Sequence, residues 1–303
     1  MLFSNTTKKA LALLPYIKAF WRTYRFLKRS QYWDKSRLEE YQLMRLRHLL
    51  EHAYKNVPFY RQIFEERGLK PRDIRNLEDI RKLPIITKDQ IQEDFKAFLA
   101  RNMGKYAPWP FETGGSTGKP LRFYNDRISD LMESAFVWRY RTWAGYTPKD
   151  RQVIMRYKTD FPPCSDKEAP SLQYGNILYL SAFHVKEANL NDYTLKIRTF
   201  RPKAIYGFPS TLYVIARHML ERNEPPFEGL RCITTSSETL FPHFRNTIEE
   251  AFGAKIYDWY GSNERVVSAA ECEKGRMHIN LSLIHISEPT RLGMISYAVF
   301  CLK

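Results

Sequence analysis

Short apolar runs alternate with helical stretches from Phe111 onward, and this alternation limits the fold more than any other feature of the sequence. The apolar runs have the length of buried strands, and helical periodicity covers several of the stretches between them. Strands that alternate with helices build a largely parallel sheet covered by helices. The sequence therefore predicts an α/β fold, with strands over residues 152–155, 177–180, 204–206, 232–234 and 255–257 and helices over residues 129–143, 211–220 and 243–252.

The first hundred residues have a helical pattern instead. Residues 36–39 and residues 87–90 both have the spacing of a capping box at a helix N-terminus, and the first of the two helices is expected to stop before Pro58. A chain of 303 residues with 44% hydrophobic side chains can bury a sizeable core. We predict a helical part over residues 1–104 and an α/β domain over residues 105–280.

Positive charge is concentrated at the N-terminal end of the chain. The formal net charge is +15, and residues 1–60 carry 12 Lys and Arg against 4 Asp and Glu. A basic, aromatic-rich segment of this kind suits anionic lipid or nucleic acid. Because no DNA- or RNA-binding motif accompanies it, we expect a solvated or membrane-surface face and no nucleic-acid partner.

The sequence also indicates a compartment. No apolar run approaches the roughly 18 residues that identify a membrane-spanning helix. The four cysteines are far apart and have no C-x-x-C spacing, which is typical of a reducing compartment. We therefore expect a cytoplasmic protein, with peripheral membrane contact through the basic N-terminus left open.

A glycine-rich stretch, Thr113 to Pro120, has the composition of a phosphate-binding loop. Its backbone N–H groups and hydroxyls can surround phosphate oxygens, with Lys119 as the counter-charge. A Walker A loop is excluded because it needs Gly at the position of Thr113 and Ser or Thr at the position of Pro120. A dinucleotide fingerprint is excluded because residues 121–124 resemble a strand instead of a helix. A surface turn rich in Gly and Ser is the alternative.

Two further clusters follow predicted strands. Ser237 and Glu238 come after the run at 232–234, and residues 258–264 come after the next run. Because ligands bind at the carboxyl ends of parallel strands, we expect both clusters at one site. Tyr260 offers a flat face for a base, while Glu264 offers an oxygen ligand for Mg²⁺. An ordinary surface acid at a helix start is the alternative for Glu264.

Other chemistries find less support. No G-x-S-x-G motif surrounds Ser181 or Ser210, which disfavours a Ser-His-Asp hydrolase. Cys272 and His278 supply two candidate zinc ligands, whereas a structural zinc site needs four.

Together and in this order, the three motifs resemble those of the adenylate-forming ligases of the acyl-CoA synthetase superfamily. Within that superfamily, the chain resembles the branch of the phenylacetate-CoA ligases and the CapK-like capsular-polysaccharide-biosynthesis proteins, from about residue 36 to Asn280. It implies the large N-terminal domain of that fold and a two-step reaction. A small carboxylic acid attacks the α-phosphate of ATP to give an acyl-adenylate, and CoA or another thiol then displaces AMP.

The resemblance also implies residue roles. Lys119 and Glu264 would be catalytic, with Glu264 as the Mg²⁺ ligand, and Ser237 with Tyr260 would flank adenine. Phe183 and His184 match weakly an aromatic element near the acyl pocket, with an ordinary histidine as the alternative. The other nucleotide-binding candidates are Thr113, Gly114, Gly115, Ser116, Thr117, Gly118, Glu238, Asp258, Gly261 and Ser262.

The resemblance ends at about Asn280, where the family continues into a ribose-binding Asp, a hinge and a small C-terminal domain. We expect these to be missing, because residues 281–303 resemble the conceptual translation of a sequencing adapter. A true apolar strand over residues 294–302 is the alternative for this tail. The 303-residue chain is accordingly expected to be an inactive fragment of an acid–thiol ligase. The alternative is a non-catalytic membrane-surface protein of capsular polysaccharide export that retains the ligase fold.

Overall fold

The computed structural model describes residues 5–112, 120–156, 161–262, 265 and 267–279, with side chains from Ile17 onward. The helices are α1 (Asn5–Ser30), α2 (Lys35–Asn56), α3 (Pro58–Glu66), α4 (Lys88–Glu93), α5 (Arg127–Trp143), α6 (Leu190–Phe200), α7 (Pro209–Glu221) and α8 (Pro242–Phe252). The strands are β1 (Trp109–Glu112), β2 (Arg122–Asn125), β3 (Gln152–Arg156), β4 (Ser171–Tyr174), β5 (Ile177–Ser181), β6 (Ala204–Gly207), β7 (Cys232–Ser236), β8 (Lys255–Gly261), β9 (Ser268–Glu271) and β10 (Met277–Ile279).

The chain forms two compact units. One takes in the residues as far as Arg139 together with residues 262–268, and the other takes in residues 140–261 and 269–278. The boundaries predicted from the sequence stay predictions, and the tail over residues 281–303 lies outside the described residues.

The first unit is mostly helical, as its amphipathic pattern predicts. The cap of α2 is Asp34, whose carboxylate accepts a hydrogen bond from the backbone N–H of Arg37 at 2.8 Å. The predicted capping box at residues 36–39 was therefore wrong, because α2 begins before Ser36. The second predicted box is confirmed, since the Thr87 side chain caps α4 together with Gln90.

The second unit is built on a sheet of eight strands in the order β10-β9-β8-β7-β6-β3-β5-β4. The strands β5, β3, β6, β7 and β8 pair in parallel with their neighbours, and β4 pairs antiparallel with β5. Apolar side chains of these strands pack with those of α6, α7 and α8 in one core that includes Val153, Ile197, Ile205, Ile215 and Phe252. The predicted α/β fold is confirmed.

Candidate functional site

The clusters that follow two predicted strands lie side by side in the structure. β7 and β8 are parallel, and their last paired residues are Ser236 and Trp259. Ser237 and Tyr260 each lie one residue further along, so these two candidates are neighbours at the edge of the sheet formed by the carboxyl ends of its parallel strands. Arg156, the last residue of β3, lies at the same edge because β3, β6, β7 and β8 are successive parallel strands.

The turn after β7 holds Ser237 in a conformation that favours glycine. Its φ is +73°, and this left-handed region costs an ordinary residue about 1–2 kcal/mol. The Ser237 hydroxyl accepts a hydrogen bond from Arg156 Nη2 at 3.2 Å and lies 3.3 Å from the Ser236 hydroxyl. Ser236 in turn shares a 2.7 Å hydrogen bond with Tyr206 OH. This chain of polar contacts fixes the Ser237 hydroxyl at the edge of the sheet.

Arg156 is a residue of this edge that the sequence did not reveal. Its guanidinium carbon lies 4.9 Å from the ring centroid of Tyr206 and 5.8 Å from that of Phe208. These ring contacts and the hydrogen bond to Ser237 hold a positive charge where ligands of parallel sheets bind. A guanidinium is well suited to phosphate or carboxylate oxygens. Arg156 directly follows the predicted strand at 152–155, and this position could have identified it as a candidate from the sequence.

Glu238 connects its loop to a neighbouring helix. Its Oε2 accepts a hydrogen bond from the backbone N–H of Ser210 at 3.0 Å. Ser210 is in the first turn of α7, where the N-cap residue Phe208 provides no side-chain acceptor. A carboxylate here satisfies an N–H group left open at the helix end and interacts favourably with the helix dipole. Glu238 thus has a structural role beside the nucleotide-binding role predicted for it.

Tyr260 and Gly261 end β8. The Tyr260 side chain is 55% exposed, so its ring face is available to a planar ligand. At Gly261, an added Cβ would lie 2.7 Å from Cζ2 of the Trp259 indole. That indole is stacked on Tyr140, with the ring planes 6° apart. The packing of Trp259 therefore requires glycine at this position, and the predicted nucleotide contact of Gly261 stays a prediction.

Asp258 lies two residues before Tyr260 and faces β7. Its Oδ1 accepts a hydrogen bond from the Thr235 hydroxyl at 2.6 Å. Burial raises the pKa of the Asp258 carboxyl, although the hydrogen bond from Thr235 opposes this change. Its backbone N–H donates to Glu271, which also forms a 2.8 Å ion pair with Arg245. These contacts give both the carboxyl and the backbone N–H of Asp258 a hydrogen-bond partner within the protein. The predicted nucleotide contact of Asp258 stays a prediction.

Ser262, the last candidate of this cluster, directly follows β8. Its backbone N–H donates to the carbonyl of Val267, and its carbonyl accepts from the N–H of Arg265 at 2.9 Å. These two hydrogen bonds hold the backbone of Ser262, and the predicted nucleotide contact of Ser262 stays a prediction.

In the first unit, the strands β1 and β2 flank the predicted phosphate loop. They pair antiparallel as far as Glu112 and Arg122, whose side chains form a 2.8 Å ion pair. Gln92 of α4 donates a hydrogen bond to the carbonyl of Pro120 at 3.2 Å. These residues line a cavity of about 650 Å³. Both stems of the loop are thus held in place by polar contacts.

The weak candidates Phe183 and His184 follow β5. His184 Nδ1 lies 2.8 Å from the Ser181 hydroxyl, with which it shares a hydrogen bond, and its carbonyl accepts from Asn189. The Phe183 side chain is exposed. His184 therefore has local partners, as the ordinary-histidine alternative requires, while Phe183 offers an apolar surface.

Comparisons with known proteins show which proteins this chain is similar to. The chain is 28% identical to Protein CapK of Staphylococcus aureus over 249 residues, which is 81% of the chain and 54% of that protein. It is 28% identical to the phenylacetate-coenzyme A ligase of Escherichia coli strain K12 over 236 residues, which is 75% of the chain and 52% of that protein. These similarities support a relationship of the chain to the adenylate-forming superfamily.

Within that superfamily, the similar proteins are CapK and the phenylacetate-CoA ligases. Its fold is similar to that of 2-hydroxyisobutyryl-CoA ligase, with a TM-score of 0.63 and 21% identity over 82% of this chain and 54% of that one. No family model matches the chain. The chain spans about half the length of the curated relatives that it matches.

Several candidate residues lie outside the described residues, and their roles stay predictions. They are Thr113, Gly114, Gly115, Ser116, Thr117, Gly118, Lys119 and Glu264.

Two observations concern metals and membranes. Within the described ranges, no group of three or more His, Cys, Asp and Glu side chains could hold a metal ion. His278, one of the two zinc candidates, packs edge-on against the ring of Trp143. No helix in the part of the chain that the structure describes is long and apolar enough to cross a membrane.

Proposed function

We propose that this chain corresponds to the ATP-binding part of an acid–thiol ligase. In the proposed reaction, a small carboxylic acid attacks the α-phosphate of ATP, which releases pyrophosphate and leaves an acyl-adenylate. The thiol of CoA, or another thiol, then attacks the acyl carbon and displaces AMP. The similarity to phenylacetate-CoA ligases supports this reaction, as does a similar solved structure that contains an acyl-adenylate and CoA.

One observation carries the proposal. Ser237 and Tyr260 end neighbouring parallel strands, and Arg156 contacts Ser237 at the same edge. We assign the exposed ring of Tyr260 to adenine, with Ser237 on its other side. The Arg156 guanidinium supplies a positive charge for the phosphate end of the nucleotide.

The phosphate loop and Glu264 complete the proposal. Ser116, Thr117 and Lys119 hold the β- and γ-phosphates in it, because a departing pyrophosphate needs donors and positive charge around its oxygens. Glu264 is the proposed ligand of Mg²⁺, an ion that would add positive charge beside the same oxygens.

Exchange of pyrophosphate into ATP tests the proposal in a protein that has the full length of the relatives. Lys119→Ala and Glu264→Ala should each lower the exchange rate by roughly two to three orders of magnitude. Lys105→Ala and Glu273→Ala, which remove an exposed cation and an exposed acid elsewhere, are the matched controls. Unchanged exchange in both site variants would refute the assignment.

The inactivity of the 303-residue chain by itself stays a prediction. Closure of a second domain over bound ATP contributes to positioning, which is worth several kcal/mol in other enzymes. Release of pyrophosphate from ATP by the purified chain, together with chromatography of the acyl-adenylate, measures it. Rapid formation would contradict the prediction.

A second candidate function is a non-catalytic role at a membrane surface, in the export of capsular polysaccharide by a cytoplasmic protein with the ligase fold. The observation in its favour is α1, which has basic residues in its last turn and exposes Ile17 and Trp21. A full-length protein that fails to bind ATP, and that loses vesicle binding when residues 1–35 are deleted, would favour this function over the ligase.

A further inference from the structure

One side of α1 packs against its own unit. Leu27 is fully buried and contacts a cluster that contains Ala135 and Phe136 of α5, and Phe20 and Tyr24 pack against the same cluster. These three residues of α1 are three or four positions apart, so they lie on one side of the helix. This side anchors α1 and leaves the other side facing outward.

The outward side of the described part of α1 is strongly basic. At 3.6 residues per turn, its exposed side chains fall within an arc of about 140°. They are the cations Lys18, Arg22, Arg25, Lys28 and Arg29 and the apolar residues Ile17 and Trp21, which together are named the basic face.

Acidic residues do not offset this charge within the helix. The first acidic residue of the chain is Asp34, which follows the end of α1. The cations of the basic face therefore produce a positive potential along the described part of the helix, and this potential attracts polyanionic surfaces.

The apolar residues distinguish between polyanions. Ile17 and Trp21 are 48% and 47% exposed and lie one helical turn apart. Tryptophan is enriched at the level of lipid headgroups, and a helix with cations beside exposed apolar residues lies in the membrane interface. Contacts to a nucleic-acid backbone are electrostatic and would leave Ile17 and Trp21 without an apolar environment.

We propose that the basic face of α1 docks on a membrane that contains anionic phospholipids. Arg22, Arg25 and Arg29 lie among the lipid phosphates, while Ile17 and Trp21 insert at the boundary between headgroups and acyl chains. This proposal deepens the membrane contact proposed above, and it is independent of the ligase chemistry.

Co-sedimentation of the 303-residue chain with vesicles tests the proposal. Vesicles of phosphatidylcholine with about 30% phosphatidylserine should bind the chain, and vesicles of phosphatidylcholine alone should bind it weakly. Changing Arg22, Arg25 and Arg29 to Gln together should weaken binding about 100-fold, from about fivefold for each cation. Trp21→Ala should weaken it roughly fivefold. Circular dichroism verifies that the variants fold, since all four side chains are exposed.

The matched control removes three exposed cations from the second unit, with Lys149, Lys167 and Lys274 changed to Gln. It has the same net charge as the arginine variant and should bind within about twofold of the unchanged chain. Equal losses in the two triple variants would overturn the proposal, because net charge alone would then decide binding. A chain that binds double-stranded DNA and not the vesicles would overturn it as well. ATP titration of the same variants separates this result from the ligase proposal, since the basic face should leave ATP affinity unchanged.

Discussion

Gly261→Ala tests how tightly the end of β8 is packed. The added methyl group would lie 2.7 Å from Cζ2 and 2.9 Å from Cη2 of the Trp259 indole. Carbon atoms in contact prefer about 3.5–4.0 Å, so the ring or the strand has to move by nearly 1 Å. The indole cannot easily move away from the added methyl group, because it is stacked on the buried ring of Tyr140.

Overpacking of this kind costs about 1–3 kcal/mol. For a unit of this size, 1 kcal/mol corresponds to a change of roughly 2–4 °C in Tm, so Gly261→Ala should lower Tm by about 2–12 °C. Because Tyr260 is the adjacent residue, the same movement should also weaken ATP binding.

Thermal unfolding followed by circular dichroism measures the change. Gly104→Ala is the matched control, since a Cβ at Gly104 meets no atom within 4 Å and its φ is not positive. A double-mutant cycle with Trp259→Ala isolates the contact, because the cost of the methyl group should disappear once the indole is removed. A Gly261→Ala variant as stable as Gly104→Ala, or an equal cost in both backgrounds, would refute the reasoning.

Three further predictions follow from contacts at the site. Glu238→Ala should lower the free energy of unfolding by about 1 kcal/mol because α7 loses its cap, whereas Glu238→Gln should keep most of it; urea unfolding compares them, and equal losses would contradict the capping role. Arg156→Met keeps the apolar stem and loses the hydrogen bond to Ser237, so the Kd for ATP should rise about tenfold in calorimetric titration. Since burial raises the folded-state pKa of Asp258, the folded state holds this proton more tightly, and stability should fall as pH rises from about 4 through the raised pKa. Asp258→Asn should flatten that slope in urea unfolding at a series of pH values, and an unchanged slope would contradict the assignment.

Five strands of the sheet could be predicted from the sequence because each contains a short apolar run. The predicted strands at 204–206 and 232–234 correspond to β6 and β7, in which every residue is buried. Strands without that property were not predicted. β4 is partly exposed and β10 is exposed throughout, so neither has the apolar run from which a strand is recognised.

Helix ends were less predictable, since they depend on single side chains. Asp34 and Ser36 are both good N-cap residues, and only the backbone shows that Asp34 is extended and accepts from Arg37. The predicted strand ended at residue 257, whereas β8 continues to Gly261, and the contact of Gly261 with Trp259 requires the three-dimensional packing.

The polar contacts at the sheet edge were beyond sequence reasoning for a different reason. Arg156 and Ser237 are 81 positions apart, and Tyr206 and Ser236 are 30 apart. The topology of parallel strands predicts that such residues lie at the same edge, whereas it does not predict which side chains bond to one another.

The left-handed backbone of Ser237 has a consequence for variation at this position. Glycine adopts a φ of +73° without strain, so Ser237→Gly should relieve about 1–2 kcal/mol while removing the hydroxyl that Arg156 contacts. In a saturation library at this codon, selection for folding should enrich glycine, and selection for ATP binding should enrich serine. The divergence of the two rankings would measure how much stability the protein gives up to keep a hydroxyl at the end of β7.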